Sequence, residues 1–317
     1  MHTLITGAGQ IGSQLALDLE AAGHTATVLL RGNGAVAGAT VRSGDAGDRD
    51  QLRAAAVGAS AIFHCIHTSY SAKTWRAELP QRELAVMDVA AELGIPVVFP
   101  ESVYAFGRGA RDLSETSPLA PASPLGEVRA ELLAARAAHP ARTASVIASD
   151  LFGPTAEAST SVVLGTVLTP AAAGRTAWVM GDPDAPHAIT LIPDLSRAMI
   201  AAVPLATSGD TVLMAPTAEA RSQRSMARDG ARVTGQRVRP VRRIPTAVFA
   251  IGGLFSPMAR ELYHQRYLWN APSVMRPGRL ETELGQRPTP WDQALAEWAR
   301  QTSATSGAPT TSATPVA

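Results

Sequence analysis

The chain has 317 residues and a formal net charge of +1, from 28 lysines and arginines against 27 aspartates and glutamates. At 46% hydrophobic and 17% charged residues it can bury a large core, which excludes a wholly disordered chain. The balanced charge supplies no overall field to attract nucleic acid or an anionic membrane, so we predict neither as a partner.

Cysteine usage and the apolar stretches bear on where the protein works. The single cysteine, Cys65, excludes an intramolecular disulfide and fits a reducing compartment. The first residues show no basic segment followed by an apolar one, and the longest apolar stretch, 244–259, is interrupted by prolines and glycines. We therefore expect a soluble cytoplasmic protein without a signal peptide. No ligand-type spacing of histidine, cysteine and aspartate is present, so we expect no bound metal.

The first half of the chain alternates short β-like runs with amphipathic helical patterns, which predicts βαβ units and a parallel sheet. The predicted strands are 3–6, 25–30, 40–43, 61–66, 97–100 and 144–148. The predicted helices are 10–22, 50–57, 81–93 and 127–138. Residues 108–126 are rich in proline, serine and glycine and predict a loop over the site.

A glycine-rich turn joins the first predicted strand to the first predicted helix. Residues 6–12 read Thr-Gly-Ala-Gly-Gln-Ile-Gly, a G-x-G-x-x-G pattern in the strand–turn–helix context that gives the pattern meaning. Gly7 permits the tight turn, Gly9 lets the backbone approach a pyrophosphate, and Gly12 allows close helix–strand packing. The helix N-terminus offers unpaired N–H groups to the phosphates. The residues predicted to hold a dinucleotide are Gly7, Ala8, Gly9, Gln10, Ile11 and Gly12. The alternative is a glycine-rich turn that serves packing alone.

The end of the second predicted strand bears on which dinucleotide is bound. A site for NAD places a carboxylate about 20 residues after the glycines, where it binds the ribose hydroxyls. Here the strand is followed by Arg31 with no acid beside it, and a guanidinium pairs with the 2′-phosphate of NADP. We therefore predict NADP rather than NAD, unless Arg31 is simply solvated. Asp45, after the third strand, is placed to accept a hydrogen bond from the adenine amine or, alternatively, to cap a turn.

These patterns predict an α/β fold, a doubly wound parallel sheet of the Rossmann type, in three parts. Residues 1–150 form the dinucleotide-binding domain. Residues 151–300 form a smaller substrate-binding region, interleaved with the last strands of the sheet. Residues 301–317 are uncharged and rich in threonine, serine, alanine and proline, which predicts a disordered tail.

Several motifs beyond the glycine loop resemble the NAD(P)-dependent epimerase/dehydratase family of extended short-chain dehydrogenases/reductases. They are the basic end of the second strand, Gly44-Asp45, His64-Cys65, the run 99–107, the element 150–154, and the segments 192–198 and 284–290. The glycine spacing is that of the divergent members of the family. The resemblance implies that His64, Cys65 and Ile66 also line the cofactor. It further implies a homodimer through helices such as 81–93 and 127–138.

The resemblance also implies a catalytic set of serine or threonine, tyrosine and lysine. In that set the tyrosine exchanges a proton with the substrate, and the lysine lowers the pKa of the tyrosine. Aligning residues 99–107 with the family's fifth strand puts Ser102 on the catalytic serine. The Tyr-x-x-x-Lys motif is missing, because the alignment puts Ser123 at the tyrosine and Glu127 at the lysine. The only lysine of the chain is Lys73, with Ser69 four residues before it.

Tyr104 is a candidate for the missing acid or base. It lies two residues after Ser102, so the two side chains share a face if the strand continues that far. Arg108, four residues on, is expected to depress the pKa of Tyr104 much as an ammonium would. The alternative is that Tyr104 packs in the core or forms a wall of the substrate site.

Other polar residues have a structural interpretation beside a functional one. His64 and His67 flank the end of the fourth strand, where they either titrate or form structural hydrogen bonds. Cys65 is predicted to be a small buried hydrophobe rather than a nucleophile. Asp194 is predicted to be a helix N-cap, and His187 a loop residue rather than a substrate contact.

Residues 221–243 hold eight arginines with only Asp229 opposing them. Their spacing predicts a solvated helix face, and the alternative is a clamp for a phosphorylated substrate such as a nucleotide sugar. Because no aromatic residues alternate with these arginines, we do not expect nucleic-acid binding.

The sequence thus predicts an NADP-dependent enzyme, of epimerase/dehydratase or reductase type, that acts on a carbonyl or secondary alcohol of a small molecule. The rival hypothesis is a sensor or scaffold that binds NADP(H) and has lost catalysis, because a fold does not guarantee an activity. A flavoprotein is disfavoured, since Arg31 replaces the acid that would bind the adenosine ribose.

Overall fold

The computed structural model describes the backbone of residues 1–307 and the side chains of residues 1–302. Its strands are β1 (His2–Thr6), β2 (Thr25–Leu30), β3 (Thr40–Ser43), β4 (Ile62–His64), β5 (Val97–Ser102), β6 (Thr143–Ala148), β7 (Asp150–Phe152), β8 (Ala177–Val179), β9 (Pro186–His187), β10 (Ile189–Leu191), β11 (Thr211–Met214), β12 (Arg221–Ser222) and β13 (Val241–Arg243). Its helices are α1 (Gln10–Ala21), α2 (Arg49–Ala55), α3 (Ala72–Leu93), α4 (Pro124–Ala138), α5 (Thr169–Ala172), α6 (Ile192–Ala202), α7 (Gln223–Val233), α8 (Thr246–Gly252), α9 (Pro257–Trp269), α10 (Arg279–Thr282) and α11 (Trp291–Gly307). Short 3-10 helices span Val103–Asp112 and Val203–Leu205, and a π-helix spans Leu164–Leu168.

A parallel sheet organises the molecule. In the described part of the chain, seven strands form it in the order β11-β6-β5-β4-β1-β2-β3. The predicted doubly wound parallel sheet is confirmed, and β2 and β3 have the predicted bounds. Successive strands run outward from β1 in one direction and from β4 in the other. The carboxyl ends of β1 and β4 therefore border the crevice in which open α/β sheets bind ligands.

Both faces of the sheet are covered by helices, as alternation along the strands requires. Ile5 of β1 packs in a cluster with Leu15 of α1 and Leu195 of α6. Its neighbour Leu4 points the other way and packs with residues of α2 and α3, including Leu52. All of these side chains are fully buried.

Helix α3 begins at Ala72, so the predicted start at residue 81 is wrong. Ser71 caps the helix, because its hydroxyl accepts a hydrogen bond from the amide of Thr74 at 3.5 Å. Trp75 and Leu79 are buried on one face and pack with leucines of α4. The helix includes Pro80, although proline in a helix interior costs about 3 kcal/mol. Tertiary packing of the two apolar side chains before it outweighs that cost.

The segment predicted as a loop over 108–126 is partly helical. The 3-10 helix Val103–Asp112 occupies its first residues and bends at Gly107, where φ is 50°. A side chain at Gly107 would overlap the carbonyl oxygen of Ala120, so only glycine fits. Helix α4 begins at Pro124 rather than 127, because the Ser123 hydroxyl accepts from the amide of Gly126 at 3.1 Å and proline suits the first helical position.

The second half of the chain adds three small two-stranded sheets and returns once to the main sheet. The pairs are β7 with β10, β9 with β12, and β8 with β13. Strand β11 pairs with β6 at the edge of the main sheet. The region after residue 151 is thus interleaved with the sheet. Asp194 lies inside the first turn of α6 and Leu191 is its N-cap, so the predicted capping role of Asp194 is wrong. The Asp194 carboxylate instead accepts from the backbone and the hydroxyl of Thr289, each at 2.7 Å.

The last described helix, α11, continues to Gly307 and so enters the segment predicted as a disordered tail. The rest of that segment, 308–317, lies outside the described residues. Within residues 1–307, no helix is both long enough and apolar enough to cross a membrane. The end of α8 and the turn into α9 expose large apolar side chains, with Leu254 73% and Phe255 85% accessible.

Candidate functional site

The glycine turn is shaped by close backbone packing on two sides and open space on the third. Gly7 has φ +88°, and a Cβ there would lie 3.2 Å from the carbonyl oxygen of Cys65. A Cβ on Gly12 would overlap the carbonyl oxygen of Gly7. Because glycine has no Cβ, helix α1 can pack closely on the turn. A Cβ on Gly9 would meet nothing within 4 Å. Gly9 therefore leaves an open approach to the backbone at the start of α1.

The N-terminus of α1 faces this space without a side-chain cap. Gly9 is the N-cap residue and offers no side chain to the first amides of the helix. Ala8, Gln10 and Ile11 complete the turn, and the Ser13 hydroxyl donates to the carbonyl of Ala8 at 3.0 Å. The second half of the chain reaches the same turn, because the Thr155 hydroxyl donates to the carbonyl of Gln10 at 2.8 Å. The uncapped amides and the vacant volume beside Gly9 fit a bound pyrophosphate.

Arg31 and Asp45 lie at the ends of the neighbouring strands, next to the turn. Arg31 is exposed, and among the described contacts it makes no hydrogen bond or ion pair. Asp45 caps a turn, since its carboxylate accepts from the amide of Gly47 at 2.9 Å. Asp45 and Gly47 line one end of a cleft of about 650 Å³ whose far side is formed by Glu78 and other residues of α3.

The residues after β4 form the wall opposite the glycine turn. His64 is buried, and its Nδ1 lies 2.8 Å from the hydroxyl oxygen of Thr6. Burial lowers the pKa of His64 to about 3, so the ring is neutral at physiological pH. Its Nε2 has no partner among the described residues. Burial raises the pKa of the Cys65 thiol and keeps it protonated, which agrees with the predicted inert role. The side chain of Ile66 lies 3.2 Å from the position of a Gly7 Cβ.

Ser102 and Tyr104 do not share a strand face, so that part of the prediction is wrong. Strand β5 ends at Ser102, and the 3-10 helix begins at the next residue. The Ser102 hydroxyl caps this helix, accepting from the amide of Tyr104 at 3.4 Å. It also donates to the Glu101 carboxylate at 3.4 Å. The helix turns the Tyr104 ring away from the strand and onto Trp75, with the two rings 12° from parallel.

Tyr104 meets a second phenol rather than the predicted guanidinium. Its hydroxyl lies 3.0 Å from that of Tyr70, which is in the loop between β4 and α3. Burial raises the pKa of Tyr104, and Arg129 rather than Arg108 is the arginine whose charge opposes the rise. The predicted depression by Arg108 is wrong, and that side chain is exposed. Burial also raises the pKa of Tyr70, with the charge of Tyr104 adding to the rise.

Sequence reasoning missed Tyr70 and the residues of α9 that reach the same place. The only local signal for Tyr70 was its position shortly after β4, where ligands bind in such sheets. Glu261 of α9 accepts from the amide of Ala72 at 2.9 Å, which brings α9 over the start of α3. Burial raises the pKa of Tyr267 to about 12, the nearby Ser123 hydroxyl partly offsets that rise, and Tyr104 adds to it. Three phenols therefore converge beside the carboxyl end of β5.

A buried ion network forms the floor of this site. Arg136, 1% exposed, binds the Glu83 carboxylate at 2.6 and 2.7 Å and the Glu101 carboxylate at 3.0 Å. Glu101 also accepts from the amide of Ser102 at 2.7 Å. Arg129 lies 3.4 Å from Glu101 and covers the face of the Trp75 ring at 4.6 Å. The network connects the end of β5 to the aromatic ring on which Tyr104 stacks.

The positions aligned with the missing tyrosine and lysine do not supply a substitute. Ser123 is buried as the cap of α4. Glu127 is exposed and lies 3.5 Å from Arg76. Lys73 is exposed on the first turn of α3. No ammonium group therefore stands beside Tyr104 in the described part of the chain.

The remaining predicted polar residues have structural partners. His67 is exposed, and its Nδ1 lies 2.7 Å from the carbonyl of Thr68. His187 is buried in β9 rather than in a loop, and its ring stacks on Trp269 at 4.4 Å. Of the arginines between 221 and 243, several are paired: Arg221 with Asp229 at 3.3 Å, Arg224 with Asp184 at 2.8 Å and Arg228 with Asp229 at 3.5 Å. Two carboxylates thus pair with three of the eight arginines in this segment, and the other five make no described ion pair.

Comparison with known proteins identifies the class. The family model described as the NAD dependent epimerase/dehydratase family matches residues 3–214, from the first strand to the end of β11. The chain belongs to this family. No curated protein matches the chain.

Solved structures of similar fold include several enzymes of sugar nucleotides. UDP-glucose 4-epimerase from Thermotoga maritima, with UDP-glucose, has a TM-score of 0.75 and 16% identity, covering 96% of this chain and 99% of that one. DesIV, a dTDP-glucose 4,6-dehydratase from Streptomyces venezuelae with NAD bound, has a TM-score of 0.74 and 20% identity, covering 97% and 98%. MoeE5 with UDP-glucose and NAD has a TM-score of 0.71 and 19% identity, covering 97% and 100%. At these identities the likeness establishes the fold.

Proposed function

We propose that the protein is an NADP(H)-dependent oxidoreductase that acts on the carbonyl or secondary alcohol of a small molecule. The observation that carries the proposal is a juxtaposition at the carboxyl ends of β1, β4 and β5. An open glycine turn lies there beside a hydrogen-bonded pair of phenols, Tyr104 and Tyr70. Membership of the family supports the use of a nicotinamide cofactor.

The residues for the cofactor are those of the turn and of the two strands beside it. The amides at the start of α1 bind the pyrophosphate, and Gly9 provides the room. His64, Cys65 and Ile66 form the wall on the other side. Arg31 binds the 2′-phosphate, because it is exposed and has no described carboxylate partner, which favours NADP over the alternative NAD. The Asp45 carboxylate mainly caps its own turn by accepting from the amide of Gly47, and a hydrogen bond to the adenine amine is its secondary role. The nicotinamide supplies the two-electron exchange with the substrate carbon.

Tyr104 serves as a proton donor. Because burial raises the pKa values of Tyr104 and Tyr70, both phenols are protonated at neutral pH. A protonated Tyr104 donates to the oxygen of a carbonyl as that oxygen gains negative charge, and Tyr70 donates in turn to Tyr104. Ser102 gives a second hydrogen bond to the same oxygen when its hydroxyl turns away from Glu101, to which it donates at 3.4 Å in the free protein. A phenol that is difficult to ionise is a poor base, so the arrangement favours carbonyl reduction over alcohol oxidation.

The cofactor assignment is tested by calorimetric titration of the purified protein with NADPH and with NADH. We expect tighter binding of NADPH, and loss of that preference in Arg31→Glu. Arg237→Glu is the matched control, since Arg237 is also exposed and makes no described ion pair. Equal preference in wild type and Arg31→Glu would refute the role of Arg31. If neither nucleotide binds, the proposed function fails.

The catalytic assignment is tested by the consumption of NADPH with a panel of aldehydes and ketones. Tyr104→Phe should lower kcat by about 10²–10⁴-fold, the usual contribution of a positioned acid. Tyr70→Phe should have a smaller effect and should leave NADPH binding unchanged, because Tyr70 acts through Tyr104. Full turnover in Tyr104→Phe would remove Tyr104 from the mechanism.

A second candidate function is a cofactor-dependent sensor without turnover. It is favoured by one observation: the position aligned with the family's lysine holds Glu127, which is exposed and lies 3.5 Å from Arg76. Under this hypothesis NADPH binds, but no carbonyl compound accelerates its oxidation in wild type or in Tyr104→Phe. The two candidates therefore give the same titration and different turnover.

The oligomeric state and the cellular location are two further proposals. We propose a homodimer through α3 and α4, which pack against each other and are linked by Arg76 with Glu131 at 2.9 Å. Sedimentation velocity tests it, and a monomer across the accessible concentration range would refute it. The second proposal is a location in the cytoplasm, which rests on the single cysteine, Cys65, because that usage fits a reducing compartment.

A further inference from the structure

A cleft of about 330 Å³ lies between the 3-10 helix Val103–Asp112 and the C-terminal half of α9. Its lining includes Arg108 and Arg111 from the first element and His264, Arg266, Tyr267 and Asn270 from the second and its end. The volume is at the lower end of the range that encloses small ligands.

The charge of this cleft is one-sided. Three guanidinium groups line it, and no aspartate or glutamate does. Arg108 and Arg111 are exposed, and neither has a carboxylate partner among the described ion pairs. Arg266 donates to the carbonyl of Tyr263 at 2.6 Å and lies over its ring at 3.9 Å, contacts that hold the guanidinium without neutralising it. Asp112, next to Arg111 in sequence, is paired with Arg276.

Local geometry places two of the arginines together. Arg108 and Arg111 follow the bend at Gly107 and are three residues apart in a 3-10 helix, where side chains at i and i+3 lie above one another. Neither of these two arginines meets a carboxylate among the described ion pairs, so the positive charge of the cleft is not offset from within this helix.

The cleft adjoins the candidate catalytic phenols. Tyr267 lines the cleft, its buried hydroxyl has no hydrogen-bond partner among the described residues, and it is close enough to Tyr104 for the two phenols to influence each other electrostatically. A molecule with its reacting carbon at Tyr104 thus has a short path along Tyr267 to the three arginines.

We propose that this cleft binds an oxyanion group of the substrate, a phosphate ester in preference to a carboxylate. Guanidinium groups bind both chemistries with paired N–H donors, and three of them match the charge of a phosphate dianion better than that of a carboxylate. The inference rests on the proposed function, because it places this group relative to Tyr104. The substrate class is then a phosphorylated carbonyl compound or alcohol.

The test is calorimetric titration of the NADPH-saturated protein with glucose 1-phosphate, glucuronate and glucose. We expect glucose 1-phosphate to bind more tightly than glucuronate, and glucose not to bind measurably. The double variant Arg108→Gln/Arg111→Gln should weaken glucose 1-phosphate at least about tenfold, since charge-assisted hydrogen bonds are lost. The matched control Arg232→Gln/Arg237→Gln removes the same charge from exposed arginines outside the cleft and should change nothing.

Three outcomes would overturn the proposal. They are equal weakening in the cleft and control variants, an unchanged affinity in the cleft variant, and equal binding of glucose and its phosphate. Tighter binding of glucuronate would overturn the phosphate preference. A separate titration with NADPH alone keeps the proposals distinguishable: absent NADPH binding defeats the proposed function, whereas normal NADPH binding with no phosphate binding defeats only the cleft. Both double variants change exposed side chains, so circular dichroism should match that of wild type.

Discussion

The buried network around Arg136 allows a quantitative test of what holds the site together. Replacing Arg136 with methionine keeps the apolar stem and removes the guanidinium. The side chain of Arg136 lies over the Phe99 ring at 4.1 Å and makes hydrogen bonds to Glu83, Glu101 and Ser145. The variant therefore loses charge and hydrogen bonds, while most of the packing volume is kept.

The expected loss of stability follows from what stays behind. Glu83 and Glu101 have side chains that are 5% and 0% exposed, so Arg136→Met leaves both carboxylates in the interior with less compensation. Removing one partner of a buried ion pair costs about 3–5 kcal/mol. We expect the upper part of that range, because two carboxylates lose a partner and Arg129 remains near only one of them. A buried carboxylate without a partner has a raised pKa, so the loss should be smaller at pH 5 than at pH 8.

Urea denaturation followed by tryptophan fluorescence measures the loss at both pH values, with the midpoint and the slope fitted separately. The double variant Arg136→Met/Glu83→Gln should recover part of the stability, since Glu101 then retains Arg129 and one buried charge is gone. Exposed Arg76→Met, which breaks only surface pairs, should cost less than about 1 kcal/mol. A loss below about 1 kcal/mol for Arg136→Met, or a loss independent of pH, would refute the reasoning.

Three further changes test the glycine turn, a buried histidine and the C-terminal tie. Gly12→Ala should destabilise the protein and prevent NADPH binding, because the new Cβ would overlap the carbonyl oxygen of Gly7. Gly9→Ala should keep wild-type stability and bind NADPH more weakly, because its Cβ meets no protein atom. Equal stability of the two variants would contradict this account. Wild type should lose stability as pH falls below about 6.5, because His64 binds a proton there in the unfolded chain, whereas in the folded chain it does so only near pH 3. His64→Gln should reduce the slope of the unfolding free energy against pH by about 1.4 kcal/mol per pH unit, measured by urea denaturation at pH 7, 6 and 5. Asp194→Ala should cost about 3 kcal/mol by the same assay, because the buried Asp194 carboxylate loses two hydrogen bonds from Thr289 and its ion pair with Arg197. A cost near zero would show that these contacts are dispensable.

The sheet was predictable because its signals are local. Alternating strand and helix patterns, together with the glycine turn after β1, predicted the doubly wound sheet and two strands with their observed bounds. The start of α3 was not predictable, because Pro80 signals a boundary and the packing of Trp75 and Leu79 against α4 depends on residues far away in sequence.

The candidate catalytic site was harder to predict for the same reason. Tyr104 was found from its distance to Ser102, but its partner was expected in the same segment as Arg108. The contact is instead with Tyr70, 34 residues earlier, which the parallel pairing of β4 with β5 brings near. Arg266 and Tyr267 approach from α9, in a part of the chain where the sequence patterns are weak.

The hydrogen bond between Glu261 and the amide of Ala72 joins residues 189 positions apart. It makes that amide a reporter on whether α9 is seated on the start of α3. If α9 lifts from α3, the amide of Ala72, the first residue of α3, loses its acceptor. Its hydrogen-exchange rate would then measure opening of the cleft directly, in the resting protein and during turnover, without a label or a substrate analogue.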